Sequence, residues 1–302
     1  MSLLVVGSVA FDAIQTPFGR TERTVGGAAT YFALAASLLA PVRLVAVVGD
    51  DFTAKEEGVF HGRRIDLAGL ERAAGKSFFW SGRYSGDLRS RETLATELNV
   101  FAAFQPKLPE AYRNSKFVFL GNIDPMLQRR VLEQMRQRPT LVALDTMNYW
   151  ISGTPGELAK TLRLIDALLI NDEEACQLAG EHNLLRAAKR IFSMGPEAIV
   201  IKRGEYGAML FHRDAILAVP AYPLETVHDP TGAGDSFAGG FMGDLARQKK
   251  IDHSSLRRAM IYGSVLGSFA VERLGVERLH GLTRREVEAR ARALLRMTSI
   301  RL

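Results

Sequence analysis

The order of apolar runs and polar turns along this 302-residue chain predicts an α/β protein built on a mostly parallel sheet. Short apolar runs at 3–6, 42–48, 117–120, 141–144, 167–170 and 199–202 each give way to a polar or glycine-bearing turn. Most of those turns lead into helical periodicity, the rhythm of β-α units with strands buried on both faces. The stretch 76–100 differs: its alternating, turn-rich character fits a hairpin or small separate sheet. With 47% hydrophobic and 24% charged residues, the chain can bury a large core and reads as one domain over 1–302.

Composition removes several function classes. The formal charge of +6 suits a nucleotide or sugar phosphate as well as nucleic acid. The arginine pairs at 63–64, 257–258 and 284–285 form neither a long basic block nor a stripe interleaved with aromatics, so no nucleic-acid partner is expected. The one cysteine, Cys176, excludes an intrachain disulfide and a cysteine-rich metal cluster. The histidines show no close pairing of the kind zinc sites use. No apolar run approaches the roughly 18 residues of a membrane span, and no basic leader precedes the first strand. The expectation is a cytoplasmic protein with no membrane partner.

Taken in order, strand 3–6 leads through Gly7 to a polar turn at Asp12. Open α/β sheets bind ligands at the carboxyl ends of their strands, so Asp12 is a candidate for holding a substrate hydroxyl, with an ordinary turn aspartate as the alternative. Residues 16–25 are polar and alternating. Gly26 and Gly27 then precede a small-residue helix at 28–39 and permit close backbone approach to a ligand. Strand 42–48 ends at Gly49-Asp50-Asp51; residues 52–60 read as a helix and 65–70 as a connection. Within 76–100, Trp80 and Tyr84 stand near Arg83, Arg89 and Arg91, an aromatic face with hydrogen-bonding groups that suits a sugar or a nucleoside. Arginines that merely solvate the surface are the alternative.

Strand 117–120 is followed by a helix at 126–136, and strands 141–144 and 167–170 come next. Asn171 and Glu174 share the turn after 167–170, where their oxygens suit the water shell of Mg²⁺ or, alternatively, cap a helix. Lys202 and Arg203 are candidates to approach a phosphate, against the reading of exposed cations beside a strand. Residues 212–219 read as a hairpin-like excursion and 256–270 as a helix, whose Gly263, Ser264 and Gly267 leave room for a planar base. Thr283 and Glu286 stand at capping-box spacing before a terminal helix at 283–295.

The densest chemistry lies in Val227-His228-Asp229-Pro230-Thr231-Gly232-Ala233-Gly234-Asp235. Pro230 stops any preceding element, and Gly232 and Gly234 permit a tight turn into the helix at 237–245. The N–H groups of such a first turn make an anion receptor. A carboxylate beside it repels the bound anion unless a proton moves during the reaction. Asp235 is therefore a candidate general base, with Gly232, Ala233 and Gly234 stabilising charge on a transferring phosphoryl group. A plain first-turn aspartate is the alternative.

The string Asp229 to Asp235 resembles the C-terminal signature of the ribokinase-like, or PfkB, family of carbohydrate and nucleoside kinases. Gly26-Gly27 resembles that family's N-terminal diglycine, Asn171 and Glu174 its N-x-x-E motif, and Gly204 and Gly207 its G-x-x-G turn near ATP. The resemblance implies a three-layer α-β-α sandwich with a mostly parallel central sheet and a small β lid, whose strands fall within 12–25 and 76–100. It implies Asp235 as base, Gly232 to Gly234 as anion hole, and Asp12, Gly26 and Gly27 on the phosphate acceptor. Tyr31 stands where many of the sugar kinases carry an asparagine that contacts substrate, and Arg83 is placed with these acceptor residues. Asn171, Glu174, Lys202, Gly204, Gly207 and Ser264 are assigned to ATP and its Mg²⁺, Glu174 acting on the metal through water. Asp229 and Thr231 match half of a turn that holds a monovalent cation, K⁺. The implied activity is ATP-dependent phosphorylation of a primary alcohol on a sugar, with a nucleoside acceptor or a catalytically silent sugar- or nucleotide-binding sensor as alternatives. Pairing through the lid into a homodimer is expected, because its apolar strands are poorly covered in isolation. Neither a G-x-G-x-x-G loop after the first strand nor a G-x-x-x-x-G-K-[ST] loop occurs, which disfavours a dinucleotide oxidoreductase and a P-loop ATPase.

Overall fold

A computed structural model describes residues 2–213 and 215–298. Met1, Asp214 and residues 299–302, which the 1–302 span and the 212–219 excursion include, lie outside the described residues. The chain opens with β1 (Leu3–Val6), whose side chains are all buried, then the hairpin β2 (Ala10–Thr16) and β3 (Gly19–Gly26). Helix α1 (Ala28–Ser37) follows, then β4 (Val42–Val48), the short α2 (Ala54–Glu57) and β5 (Ile65–Arg72). Strands β6 (Phe78–Tyr84) and β7 (Arg91–Glu97) come next, and then β8 (Phe117–Leu120). Helix α3 (Pro125–Glu133) starts where Asp124 caps it and Pro125 fixes its first turn. The alternation continues with β9 (Leu141–Leu144), α4 (Asn148–Gly153), α5 (Pro155–Leu162), β10 (Ala167–Asn171), α6 (Asp172–Ala179), α7 (Leu184–Phe192) and β11 (Ala198–Lys202). The hairpin β12 (Ala208–His212) and β13 (Ala215–Val219) precedes α8 (Ala233–Leu245), α9 (His253–Ala270), α10 (Glu277–Gly281) and α11 (Arg284–Thr298).

Nine strands form one sheet in the order β13-β12-β11-β10-β9-β8-β1-β4-β5. Its pairs are parallel from β11 through to β5, and the β12–β13 hairpin continues it antiparallel. Alternate side chains of one strand feed opposite cores. Leu3 and Val5 join α1, α8 and α9 on one face, while Leu4 and Val6 join residues of α5 and α7 on the other. Helices thus cover both faces, giving the three layers anticipated for the chain.

Strands β3-β2-β6-β7 form a second, four-stranded sheet; β6 and β7 fall inside 76–100, while β2 and β3 run from Ala10 to Gly26, beyond both ends of 12–25. Two differences from the sequence reading concern polar strands. Residues 65–70 belong to β5 at the edge of the large sheet, where one side is solvated and an alternating pattern replaces the continuous apolar run of an interior strand. Asp12 lies inside β2, paired with Thr24 and Trp80, and not in a turn.

Candidate active site

Helix α8 begins directly over α1. Its N-cap, Gly232, has φ 72°, and a Cβ there would fall 2.2 Å from the Tyr31 ring, so both conformation and contact require glycine. The turn before it is pinned by Asp229, whose fully buried carboxylate accepts the N–H groups of Thr231 (2.8 Å) and Gly275 (2.8 Å). The Ala233 N–H donates to Pro230 O at 3.2 Å and the Ser236 N–H to Gly232 O at 2.8 Å, while the Gly234 amide meets no carbonyl among the described residues. Asp235 sits in this first turn, half-buried beside that amide.

Three parallel strands bring their carboxyl ends to the same place. Asp145 follows β9, Asn171 ends β10 and Lys202 ends β11. Asn171 and Glu174 form a reciprocal capping box: the Asn171 side chain accepts the Glu174 N–H at 2.7 Å, and Glu174 accepts the Asn171 N–H at 2.9 Å. Lys202 donates to Asp145 at 3.0 Å, with side-chain exposures of 15% and 9%. Lys202 is therefore not the exposed cation that its strand-end position also allowed. Its ammonium lies 3.1 Å from where a Gly234 Cβ would stand, against the first turn of α8.

This concentration of acids sets their proton affinities. Burial, then the nearby Asp145 charge, pushes Asp235 up to about 7 against the opposing pull of Lys202 and Arg91. Burial and Asp145 likewise raise Glu174. At Lys202 burial disfavours the ammonium, but Asp145, Glu174 and Asp235 outweigh it and the net shift is upward. Burial pushes Asp12 up to about 7 as well, opposed by the Gly27 N–H and aided by Asp229 and Asp235. Asp12, Glu174 and Asp235 are all poised near neutrality, and Asp12 lies within the influence of Asp235, a pattern that suits proton transfer at physiological pH.

The second sheet supplies the opposite wall. Asp12 is 4% exposed, and a Cβ at Gly26 would fall 1.9 Å from its carboxylate, so the diglycine and Asp12 form one packed unit. Gly27, at φ 90°, starts α1, while Ser8 accepts the Ala28 N–H (3.0 Å) and the Ala29 N–H (2.9 Å). Trp80 stands directly across from Asp12, its indole laid over Gly82. Tyr84 hydrogen-bonds Thr231 through their hydroxyls at 3.0 Å, joining this sheet to the α8 turn.

Of the residues anticipated for the site, Asp235, Gly232, Gly234, Asn171, Glu174, Lys202, Asp12, Gly26 and Gly27 converge here. Arg83 does not. It lies on the face away from Tyr84, donating to Gln15 at 3.2 Å and standing 3.7 Å from Glu92. Arg91 is paired directly with Tyr84, so cross-strand parity puts Arg91 on the inner face, its guanidinium 5.2 Å from the Trp80 ring centre. Tyr31, anticipated at a substrate-contacting position, has its ring packed away: it is 1% exposed beneath Gly232. Its hydroxyl, buried with no hydrogen-bond partner among the described residues and within the influence of Asp12, Asp229 and Asp235, is the part directed at the site. Ser264 donates to Pro220 O at 2.8 Å, which commits its hydroxyl to the loop after β13. Gly204 and Gly207 bracket a short turn after β11, closed by the Arg203 N–H donating to Gly207 O at 2.8 Å. Asp145 was not singled out from the sequence, although a carboxylate at the end of a parallel strand was a signal for it.

A family model described as pfkB family carbohydrate kinase matches residues 2–279. A cytidine kinase of Thermococcus kodakarensis is 28% identical over 257 residues, covering 83% of this chain and 91% of that protein. A nucleoside kinase of Methanothermobacter thermautotrophicus is 27% identical over 306 residues, covering 91% of both. Among solved structures, aminoimidazole riboside kinase from Salmonella enterica, complexed with aminoimidazole riboside and an ATP analog, superposes with a TM-score of 0.78 at 21% identity. That match covers 96% of this chain and 100% of the other, and shows a shared fold.

Proposed function

The chain belongs to the pfkB family of carbohydrate kinases, and from that premise we propose that it transfers the γ-phosphate of ATP to the primary alcohol of a nucleoside. The observation that carries the reading is Asp235, raised to about 7 beside the open amide of Gly234 and across from the buried Asp12. Asp235 takes the acceptor's hydroxyl proton as its oxygen bonds to the γ-phosphorus; the bond to the β,γ-bridging oxygen breaks and ADP leaves. The Gly232 to Gly234 turn stabilises the transferring charge, and Asp12 with the Gly26-Gly27 backbone orients the acceptor. A nucleoside is favoured over the free sugar expected from sequence by the Trp80 indole on the acceptor side and by the likeness to cytidine and nucleoside kinases across most of both chains.

Asn171 and Glu174 fit a magnesium site held through water, since one Glu174 oxygen is committed to the Asn171 N–H while the other makes no hydrogen bond among the described residues. The ion, when bound, offsets phosphate charge. The Gly204 to Gly207 turn and the Ser264 position line the nucleotide side. Asp229 and Thr231 are the candidate pair for a monovalent cation: each Asp229 oxygen accepts one backbone N–H and the Thr231 hydroxyl meets Tyr84, which leaves each oxygen a further lone pair. The four-stranded sheet serves as a lid over the acceptor and, through its exposed edge strand β7, pairs two copies into a dimer.

The test is ADP release by purified protein with Mg·ATP across nucleosides, sugars and polyols, together with single-turnover transfer by D235N. The expected result is preference for a nucleoside and a fall of at least ~10²-fold in the folded variant. Preference for ribose or fructose would restore the sugar assignment. Tight nucleoside binding without turnover would favour a sensor. Near-wild-type transfer by D235N would remove Asp235 as the base.

A further inference from the structure

We propose that the cleft between the β12–β13 hairpin and the first turns of α9 is a second binding site, separate from the active site, that takes a small organic anion with an apolar body. Strand alternation builds it. Ala208 and Leu210 of β12 join the core shared with α9, while Phe211 joins the opposite core, so His212 falls on the α9 side at the end of the hairpin. A cavity of about 180 Å³ opens there. Its lining divides by chemistry, with Leu210, Ile216 and Leu217 apolar and His212, His253 and Arg257 basic; no carboxylate lines it among the described residues. The place is remote from the phosphoryl-transfer chemistry. Strand β12 runs antiparallel to β11, so His212 pairs with Ala198 at the start of β11, while Lys202 at its far end pairs with Ala208. The four residues of strand between Ala198 and Lys202 separate the two ends by roughly 13 Å.

The three bases share a cleft without a counter-ion. The His212 and His253 rings meet at 69° with centroids 5.3 Å apart, and Arg257 follows His253 by one turn on the same side of α9. Arg257 makes no hydrogen bond or ion pair among the described residues. The nearby acids are engaged elsewhere: Glu197 stands 3.6 Å from Arg213, and Asp252 caps α9 by accepting the Ser255 N–H at 3.0 Å. The buried Nδ1 of His212 has no hydrogen-bond partner among the described residues, a cost that a ligand atom would recover. Burial, then Arg213 and His253, hold the proton affinity of His212 below the ordinary imidazole range, against the opposing pull of Glu197. An anion seated between the bases offsets that repulsion, so its binding draws a proton onto His212 and is tighter at lower pH. A metal ion fits less well: no group of three histidine, cysteine or carboxylate side chains could hold one among the described residues, and Arg257 repels a cation. Ile216, 54% exposed, and Leu217 offer contact to an apolar body. Because the cavity is smaller than the ~300–1,000 Å³ of drug-sized sites, the occupant is a single ring or a short chain.

The test follows the imidazole resonances of the full chain by NMR while benzenesulfonate, sulfate or benzyl alcohol is added. Benzenesulfonate keeps its charge across the pH range, and the three probes separate the anionic head from the apolar ring. His228, which precedes the α8 turn and meets Glu272 O through its ring, reports binding at the active site instead. Benzenesulfonate should shift His212 and His253 along one saturable curve with a Kd of about 1 mM or tighter, leaving His228 in place. Sulfate should bind at least about fivefold more weakly, and benzyl alcohol should leave both rings unmoved. Affinity should be at least about threefold higher near pH 5.5 than near pH 8. R257Q and H253Q, both at exposed positions and so compatible with folding, should each weaken benzenesulfonate at least about fivefold, read at His212. No saturable shift up to about 10 mM, or wild-type affinity in folded R257Q and H253Q, overturns the proposal. Equal binding of sulfate overturns the apolar half of the assignment. If zinc chloride saturates both rings while the anions move neither, the pair is a metal site and the anion reading falls.

Discussion

Asp235 carries opposite demands of stability and chemistry. Its folded pKa of about 7 lies above its ordinary value of 3.8, so between those pH values the folded chain binds a proton more tightly than the unfolded one. That contribution to stability is complete below about 4 and is lost as pH rises through about 7. D235N should therefore melt at or above the wild-type temperature at pH 8, and the gap should close towards pH 4. Parallel melting curves across that range would contradict the raised carboxyl. Catalysis runs the other way, because a base must be ionised: kcat/KM should rise about tenfold per pH unit below 7 and flatten above it. An acid limb centred near 4 would assign the proton transfer elsewhere. Tyr31→Phe separates a further role. Deleting a buried hydroxyl that has no hydrogen-bond partner among the described residues should leave stability equal or higher, while the acceptor KM rises several-fold and the ATP KM does not move. An unchanged acceptor KM would leave Tyr31 as packing alone.

The start of α8 joins three elements, since Gly232 rests on the Tyr31 ring of α1 and Thr231 meets Tyr84 of β6. Gly232→Ala would place a methyl group at φ 72° and into that ring, combining left-handed strain with a clash. A loss of about 1–3 kcal/mol is expected from the urea midpoint, together with most of the transfer activity. A variant of wild-type stability would show that the turn can shift, and would weaken the case for a preorganised anion site. The two arginines of the second sheet illustrate why element context decides function. Arg83 and Arg91 are alike as residues, but strand register sends one outward to Gln15 and Glu92 and the other inward over Trp80. A bulge between Ser81 and Gly82 shifts that register, and no count along the sequence reveals it.

For the molecule as a unit, the second sheet ends in β7, an edge strand bearing Leu94 at 45% exposure, with Leu98 just beyond it at 46%. Edge strands with exposed apolar side chains are pairing surfaces. Light scattering over a concentration series should give twice the 33.3 kDa chain mass, and Leu94→Glu should return the single-chain mass without lowering the melting temperature. A single-chain mass for the wild type at every concentration would dismiss the dimer.

Local chemistry was enough to announce the large sheet, the α8 turn and the Asn171–Glu174 box, because each depends on neighbours within a few residues: apolar runs, glycine geometry and reciprocal capping. Strand β5 escaped because an edge strand, half solvated, loses the continuous apolar pattern of its interior neighbours. The Lys202–Asp145 pair, the inward turn of Arg91 and the burial of Tyr31 were illegible for another reason. Each depends on which strand ends lie side by side and which helix covers which ring, and these are long-range packing facts that chain spacing does not encode.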